Sequence, residues 1–202
     1  MILKNRQSIN EETENKVIEC LRCLSEKVDV LCVADQFRYG IVTDKVREEI
    51  IALAKNGLTV ICDSRYNIGK YTDCILKPNE VECWRAVYDN DGFINATEEE
   101  FLEAAKALAI KNNARVFCTL GAKGSYVTDG KDGIRVGAKT LTGELDICGA
   151  GDTSLSAFSL GITAGAPLHK AAALAGLASA VTVKKIGMTG TATAEEIEAI
   201  AE

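Results

Sequence analysis

The spacing of apolar positions changes several times along this chain, and the changes mark out its elements. Val17, Ile18, Leu21, Leu24 and Val28 follow helical spacing, and Asn10 stands where an N-cap belongs, with Thr13 and Glu14 in the first turn. The run from Asp29 to Ala34 is apolar throughout after its first residue and ends in Asp35, the pattern of a strand buried on both faces. Positions 42–55 return to the helical period and close on Asn56-Gly57, a C-cap signal. Leu58 to Cys62 repeats the buried-strand pattern and again runs into an acid, Asp63. Two such strands with a helix between them predict a βαβ unit and a parallel sheet.

The alternation continues. Cys74 to Leu76 reads as a short strand that Pro78 ends, and Asn79 can cap a helix reaching about Tyr88. Thr97 opens a helix to about Lys111, and Val116 to Thr119 is a third apolar strand. Ser125 to Thr128 reads as the return strand of a hairpin, with a turn over 129–133 and a polar stretch on to Glu144. A helix is expected from Thr153 and another from Leu168 to Lys185, with Pro167 at its start and Gly187 at its end. The latter is Ala-rich and apolar nearly all round, so it is packed on most sides. A last helix covers 194–201, and Ile2-Leu3 could start an edge strand. The pattern predicts one α/β domain over residues 1–202, without internal repeats.

Composition narrows the partners. The chain has 202 residues, 47% of them hydrophobic, and a net charge of −6 with no Lys/Arg block, which argues against a nucleic-acid backbone as partner. No apolar run has the length of a membrane span. The eight cysteines lie mostly inside apolar runs, as small hydrophobes do. Cys20-Leu21-Arg22-Cys23 is a C-x-x-C, but no second pair follows at zinc spacing and His169 is the one histidine. With no signal peptide, this cysteine usage points to a reducing cytoplasm.

The chemistry gathers at Asp146-Ile147-Cys148-Gly149-Ala150-Gly151-Asp152-Thr153. Small residues let backbone N–H groups crowd toward a ligand, and the helix that follows adds unpaired N–H groups and the positive end of its dipole. Together they make a seat for an anion such as phosphate. A carboxylate beside that seat, Asp152, would repel the anion unless it serves to deprotonate an attacking hydroxyl. Asp35 and Asp63 end their strands at the carboxyl edge of the sheet, where ligands of open α/β sheets bind, although an Asp there also simply begins turns. Asn79 and Glu82 share a helix face, which suits either hydrated magnesium or a capping box. No G-x-G-x-x-G follows the first strand, which argues against a dinucleotide-binding dehydrogenase.

Four segments, in order, resemble the ribokinase, or PfkB, family of carbohydrate kinases. They are Cys62-Asp63-Ser64-Arg65, Lys77-Pro78-Asn79-Glu80-Val81-Glu82, Thr119-Leu120-Gly121-Ala122-Lys123-Gly124, and the D-x-x-G-A-G-D of 146–152. Within the family the likeness is greatest to the kinase part of bifunctional heptose-phosphate kinases and adenylyltransferases. The resemblance implies a ribokinase-like three-layer α/β/α sandwich and ATP-dependent phosphoryl transfer to a sugar or sugar phosphate. It implies Asp152 as base, with the N–H groups of Gly149, Ala150 and Gly151 around the transferred phosphoryl. Asn79 and Glu82 would position Mg2+ through water. Thr119, Gly121, Gly124, Lys77, Arg65 and Gly176 would contact the nucleotide, Asp35 the substrate, and Asp146 a monovalent cation such as K+.

The chain also departs from the family pattern. Ser64-Arg65 stands where Pro-Lys is usual, and Cys148 where a small hydroxyl residue is usual. A guanidinium fork is not equivalent to an ammonium point. The N-terminal strands, lid and sugar-gripping glycine pair of the family have no counterpart. That absence would leave a sheet edge exposed, so a homodimer or a partner chain supplying the missing half is expected. The alternative is a non-catalytic nucleotide-binding or assembly protein derived from such a kinase.

Overall fold

The computed structural model describes residues 8–188 and 191–202; the strand expected at Ile2-Leu3 lies outside them. Helix α1 (Glu11–Ser25) is capped by Asn10, whose side chain accepts from the Thr13 amide, and three glutamates in its first turn complement the dipole. It leads to β1 (Val30–Asp35), then α2 (Asp44–Lys55), capped by Thr43, and β2 (Thr59–Ser64). After β2 come β3 (Ile75–Leu76), α3 (Glu80–Tyr88) and α4 (Glu98–Lys111), the last two each opened by a capping box. The chain continues through β4 (Arg115–Thr119), β5 (Ser125–Thr128) and β6 (Gly133–Val136) to α5 (Ala150–Thr163), α6 (Leu168–Thr182) and α7 (Ala194–Ala201).

The six strands form one sheet in the order β1-β2-β3-β4-β5-β6. β1 to β4 run parallel and β5 and β6 antiparallel, so the βαβ reading and the hairpin return both hold. On one face, Val33, Val60, Cys62, Leu76, Val116 and Cys118 pack against α2, α3 and α4, with α1 outside them. On the other, Ile61, Ile75, Phe117 and Val127 pack against Leu155 and Phe158 of α5 and the alanines of α6. Phe117 and Phe158 stack with ring centroids 4.3 Å apart and tie the sheet to α5. Gly161 lets α6 approach closely: a Cβ there would lie 3.0 Å from the Cα of Ala171. The result is the expected three-layer α/β/α sandwich with a mostly parallel sheet.

The boundaries differ from expectation at places that matter for the site. β2 runs on through Asp63 and Ser64, because both pair in register with Ala34 and Asp35 of β1. α5 begins at Ala150, three residues early, so Gly151 and Asp152 are helical. α6 stops at Thr182 instead of Lys185. β6 has an exposed, partly polar sequence, Gly-Ile-Arg-Val, and carried no strand signal of its own. Among the described residues β1 is an edge strand, on which Cys32 and Ala34 are exposed.

Candidate functional site

The carboxyl ends of β1 to β4 meet at one edge of the sheet. Asp35 ends β1 and is 3% exposed. Its Oδ2 accepts from Ser64 Oγ at 2.8 Å, Tyr71 Oη at 3.0 Å and Asn67 Nδ2 at 3.3 Å, and the Arg47 guanidinium lies 4.0 Å away. Burial pushes the Tyr71 phenol far above its ordinary range, so it stays a donor to this carboxylate. This is the surrounding of an internal anchor that fixes the turn after β2. All three donors converge on Oδ2.

Asp63, one residue from the end of β2, is held from two sides. Lys77 Nζ donates to its Oδ2 at 2.6 Å and Gln36 Nε2 to its Oδ1 at 2.9 Å. Lys77 itself is 4% exposed, pinned by its own amide donating to the Cys62 carbonyl at 2.8 Å. Nothing in the sequence pattern pointed to Gln36; its neighbour across the loop emerges only from the parallel pairing of β1 and β2.

Beyond Lys77, Asn79 and Glu82 form the capping box: Asn79 Oδ1 accepts from the Glu82 amide at 2.8 Å and Glu82 Oε2 from the Asn79 amide at 2.9 Å. The capping reading is therefore realised. It leaves Asn79 Nδ2 and Glu82 Oε1 without a hydrogen bond among the described residues. Burial pushes the Glu82 carboxyl above its ordinary value; the Asn79 amide opposes this, Asp63 adds to it, and Lys77 and Arg65 pull it down. Glu82 Oε1, with the second lone pair of Asn79 Oδ1, can accept from the waters of a hydrated magnesium ion. Thr119 at the end of β4 joins this corner through a bridge to Asn79 and its amide bond to the Pro78 carbonyl at 2.9 Å.

After Thr119 the chain makes a 3₁₀ turn over Gly121–Lys123, with Gly121 at φ 55° and Gly124 at φ 93°. Lys123 is tied to Glu98 at 3.3 Å. A Cβ on Gly124 would overlap the Val136 carbonyl oxygen and lie 2.7 Å from the Ala138 nitrogen. Gly124→Ala should therefore cost about 1–3 kcal/mol or more in strain and shift this loop. Thermal melts check it; an unchanged melting temperature would show that the backbone relaxes freely here.

The second group of predicted residues lies at the start of α5. Gly149 is the N-cap, at φ 79°, with no side-chain cap bond. The Ala150 amide donates to the Ile147 carbonyl at 3.2 Å, so it is not open to a ligand, contrary to expectation. The amides of Gly149, Gly151 and Asp152 have no acceptor among the described residues. Asp152 is exposed and its carboxylate has no hydrogen bond or ion pair among them. A Cβ on Gly151 would meet nothing within 4 Å, so the space beside Gly151 is open.

Asp146 holds this loop in place. Its Oδ1 accepts from the Cys148 amide at 3.0 Å and its Oδ2 from the Gly187 amide at 3.0 Å. Those two amides, Cys148 first, lower its carboxyl below the ordinary range. Ser179 Oγ on α6 donates to the Ala150 carbonyl at 3.1 Å, and Gly176 lies one turn earlier on that helix, exposed. No hydrogen bond or ion pair joins the α5 group to the Asn79 corner among the described residues. A cleft of about 590 Å3 opens instead at the opposite ends of β2 to β4, lined by Gly57, Asp73, Asn113 and Lys131 and by none of the residues above.

Comparison with known proteins shows the family and the fold. The family model described as pfkB family carbohydrate kinase matches residues 2–195. The bifunctional protein HldE of Desulfatibacillum aliphaticivorans is 31% identical over 96% of this chain and 39% of its own length. HldE of Hyphomonas neptunium is 32% identical over 97% of this chain and 40% of its own. The chain thus spans about two fifths of the length of these curated relatives. Among solved structures, phosphofructokinase-2 from Escherichia coli in complex with potassium superposes with a TM-score of 0.79 at 20% identity, covering 96% of this chain and 62% of that one. Arabidopsis thaliana ribokinase complexed with ribose and ATP gives 0.70 at 19% identity, with 97% and 60% covered. These two likenesses concern the fold: a ribokinase-like α/β sandwich.

Proposed function

The chain belongs to the pfkB family of carbohydrate kinases, and from that premise we propose that it carries the nucleotide and phosphoryl-transfer part of an ATP-dependent kinase acting on a hydroxyl of a sugar or sugar phosphate. The observation that carries this reading is the set of unengaged amides at Gly149, Gly151 and Asp152, opening on free space beside an unpaired carboxylate. Such donors stabilise charge spreading over the oxygens of a phosphoryl group in flight. Asp152 takes the proton from the attacking hydroxyl. Gly149 gives the chain the left-handed turn that aims the amides outward.

The remaining roles follow from position. Asn79 and Glu82 would hold Mg2+ through water, and the ion would neutralise charge on the phosphates of ATP. Lys77 and Arg65 face the phosphates, Thr119, Gly121 and Gly124 line the nucleotide, and Gly176 flanks the base. K+ beside Asp146 belongs to the same reading, since its carboxylate keeps lone pairs after accepting two amides. A heptose phosphate is the acceptor class implied by the resemblance of the four motif segments to the kinase part of bifunctional heptose-phosphate kinases.

Two measurements test the proposal: calorimetry with ATP and Mg2+, and ADP release across a panel of sugars and sugar phosphates. Binding with turnover supports it, and absence of nucleotide binding overturns it. The exposed edge of β1 favours a second reading, a non-catalytic nucleotide-binding or assembly protein, for which binding without turnover on any acceptor is the expected result. On either reading further polypeptide, from a second copy or another chain segment, covers that edge.

A further inference from the structure

The Asp63–Lys77 pair lies beneath the Asn79 corner, and no catalytic or binding role described above uses Asp63. Both residues are buried, at 8% and 4% exposure. Both carboxylate oxygens are engaged, one by Gln36 and the other by the lysine, at 2.9 and 2.6 Å. The ammonium is not so satisfied. It has three donors, and Asp63 is its one acceptor among the described residues. Desolvating both ions of a buried pair costs about as much as their attraction returns, so such a pair is a weak source of stability. What it does supply is direction: with one donor fixed on Asp63 and the backbone of Lys77 fixed on Cys62, the other two donors have little freedom.

We propose that Asp63 is a positioning residue that acts through Lys77: it aims the two spare ammonium donors at the β- and γ-phosphates of a bound nucleotide, and Gln36 holds Asp63 in the orientation this requires. The inference rests on the kinase reading above. It reassigns the cost of burying Lys77, because the missing acceptors arrive with the ligand. Hydrogen bonds to charged groups contribute about 1.5–3 kcal/mol each, which converts to about tenfold or more in affinity.

The test is calorimetric titration of the full chain with AMP, ADP and ATP in the presence of Mg2+. Asp63→Asn should weaken ATP and ADP binding by about tenfold or more and leave AMP unchanged, since AMP lacks the phosphates concerned. In the background of Lys77→Met, adding Asp63→Asn should cost nothing further, because the donor that Asp63 aims is already gone. A merely structural pair would weaken all three nucleotides together. Should Asp63→Asn not fold, Asp63→Glu keeps the charge but moves the carboxylate, and should show the same dependence on phosphate number. Equal affinities of parent and both Asp63 variants for ATP, or equal losses for AMP and ATP, would overturn the inference while leaving the kinase reading intact. A parent chain that binds none of the three overturns both.

Discussion

Asp152→Asn is expected to lower phosphoryl transfer by about 10²–10⁴-fold, the usual range for a positioned general base. Mg–ATP affinity should stay near that of the parent. The side chain is exposed and has no partner among the described residues, so the amide replaces it without breaking an internal contact. The Asp152 main-chain amide, one of the three open donors, is kept. What is lost is the proton acceptor alone. Paired measurements of ADP release and of nucleotide binding check this. Turnover at the parent rate would remove Asp152 from the role of base, and a loss of ATP binding as large as the loss of turnover would make it a binding residue.

Gly151→Leu carries the second large effect, and it separates stability from function. A Cβ at this position meets nothing within 4 Å, its backbone is helical, and a glycine inside a helix costs about 1 kcal/mol relative to better helix formers. The variant should therefore melt at the parent temperature or slightly above it. The open space that spares the fold is the space proposed for the phosphates. A leucine there blocks the donors of Gly149, Gly151 and Asp152 together. With charge-assisted bonds contributing about 1.5–3 kcal/mol each, ATP affinity should fall by about 100-fold or more. A stable variant that still binds ATP like the parent would place the phosphates elsewhere.

Much of the architecture was legible because local chemistry and global topology agree. Asn10, Asn79 and Thr97 each cap the helix that begins after them, while Thr43 caps a helix expected to start at position 42. The apolar runs that end in Asp35 and Asp63 are strands of a parallel sheet. Other features depend on pairing, which no local pattern reports. β6 is a strand because β5 offers it a register, and its own residues are mostly exposed. Asp63 belongs to β2 for a similar reason.

The site was legible in its residue types and less so in its geometry. Asp35 and Asp63 look alike in the sequence, each an acid after a buried strand. The fold gives the first a cage of Ser64, Asn67 and Tyr71, and the second an ion pair with Lys77. The small residues before α5 signalled an anion seat, but which amides remain open depends on one turn. The bond from Ala150 to Ile147 takes one donor away, and the early start of the helix adds the amide of Asp152. Gln36 had no signal at all, because the carboxylate it donates to lies 27 residues away.

The most direct measurement is the change in backbone amide resonances on titrating the isotope-labelled chain with ATP and Mg2+. The largest shifts are predicted at Gly149, Gly151 and Asp152, with that of Ala150 smaller because its proton is already bonded to Ile147. Shifts confined to Gly57, Asp73 and Asn113 at the far end of the sheet, with the start of α5 silent, would contradict the account.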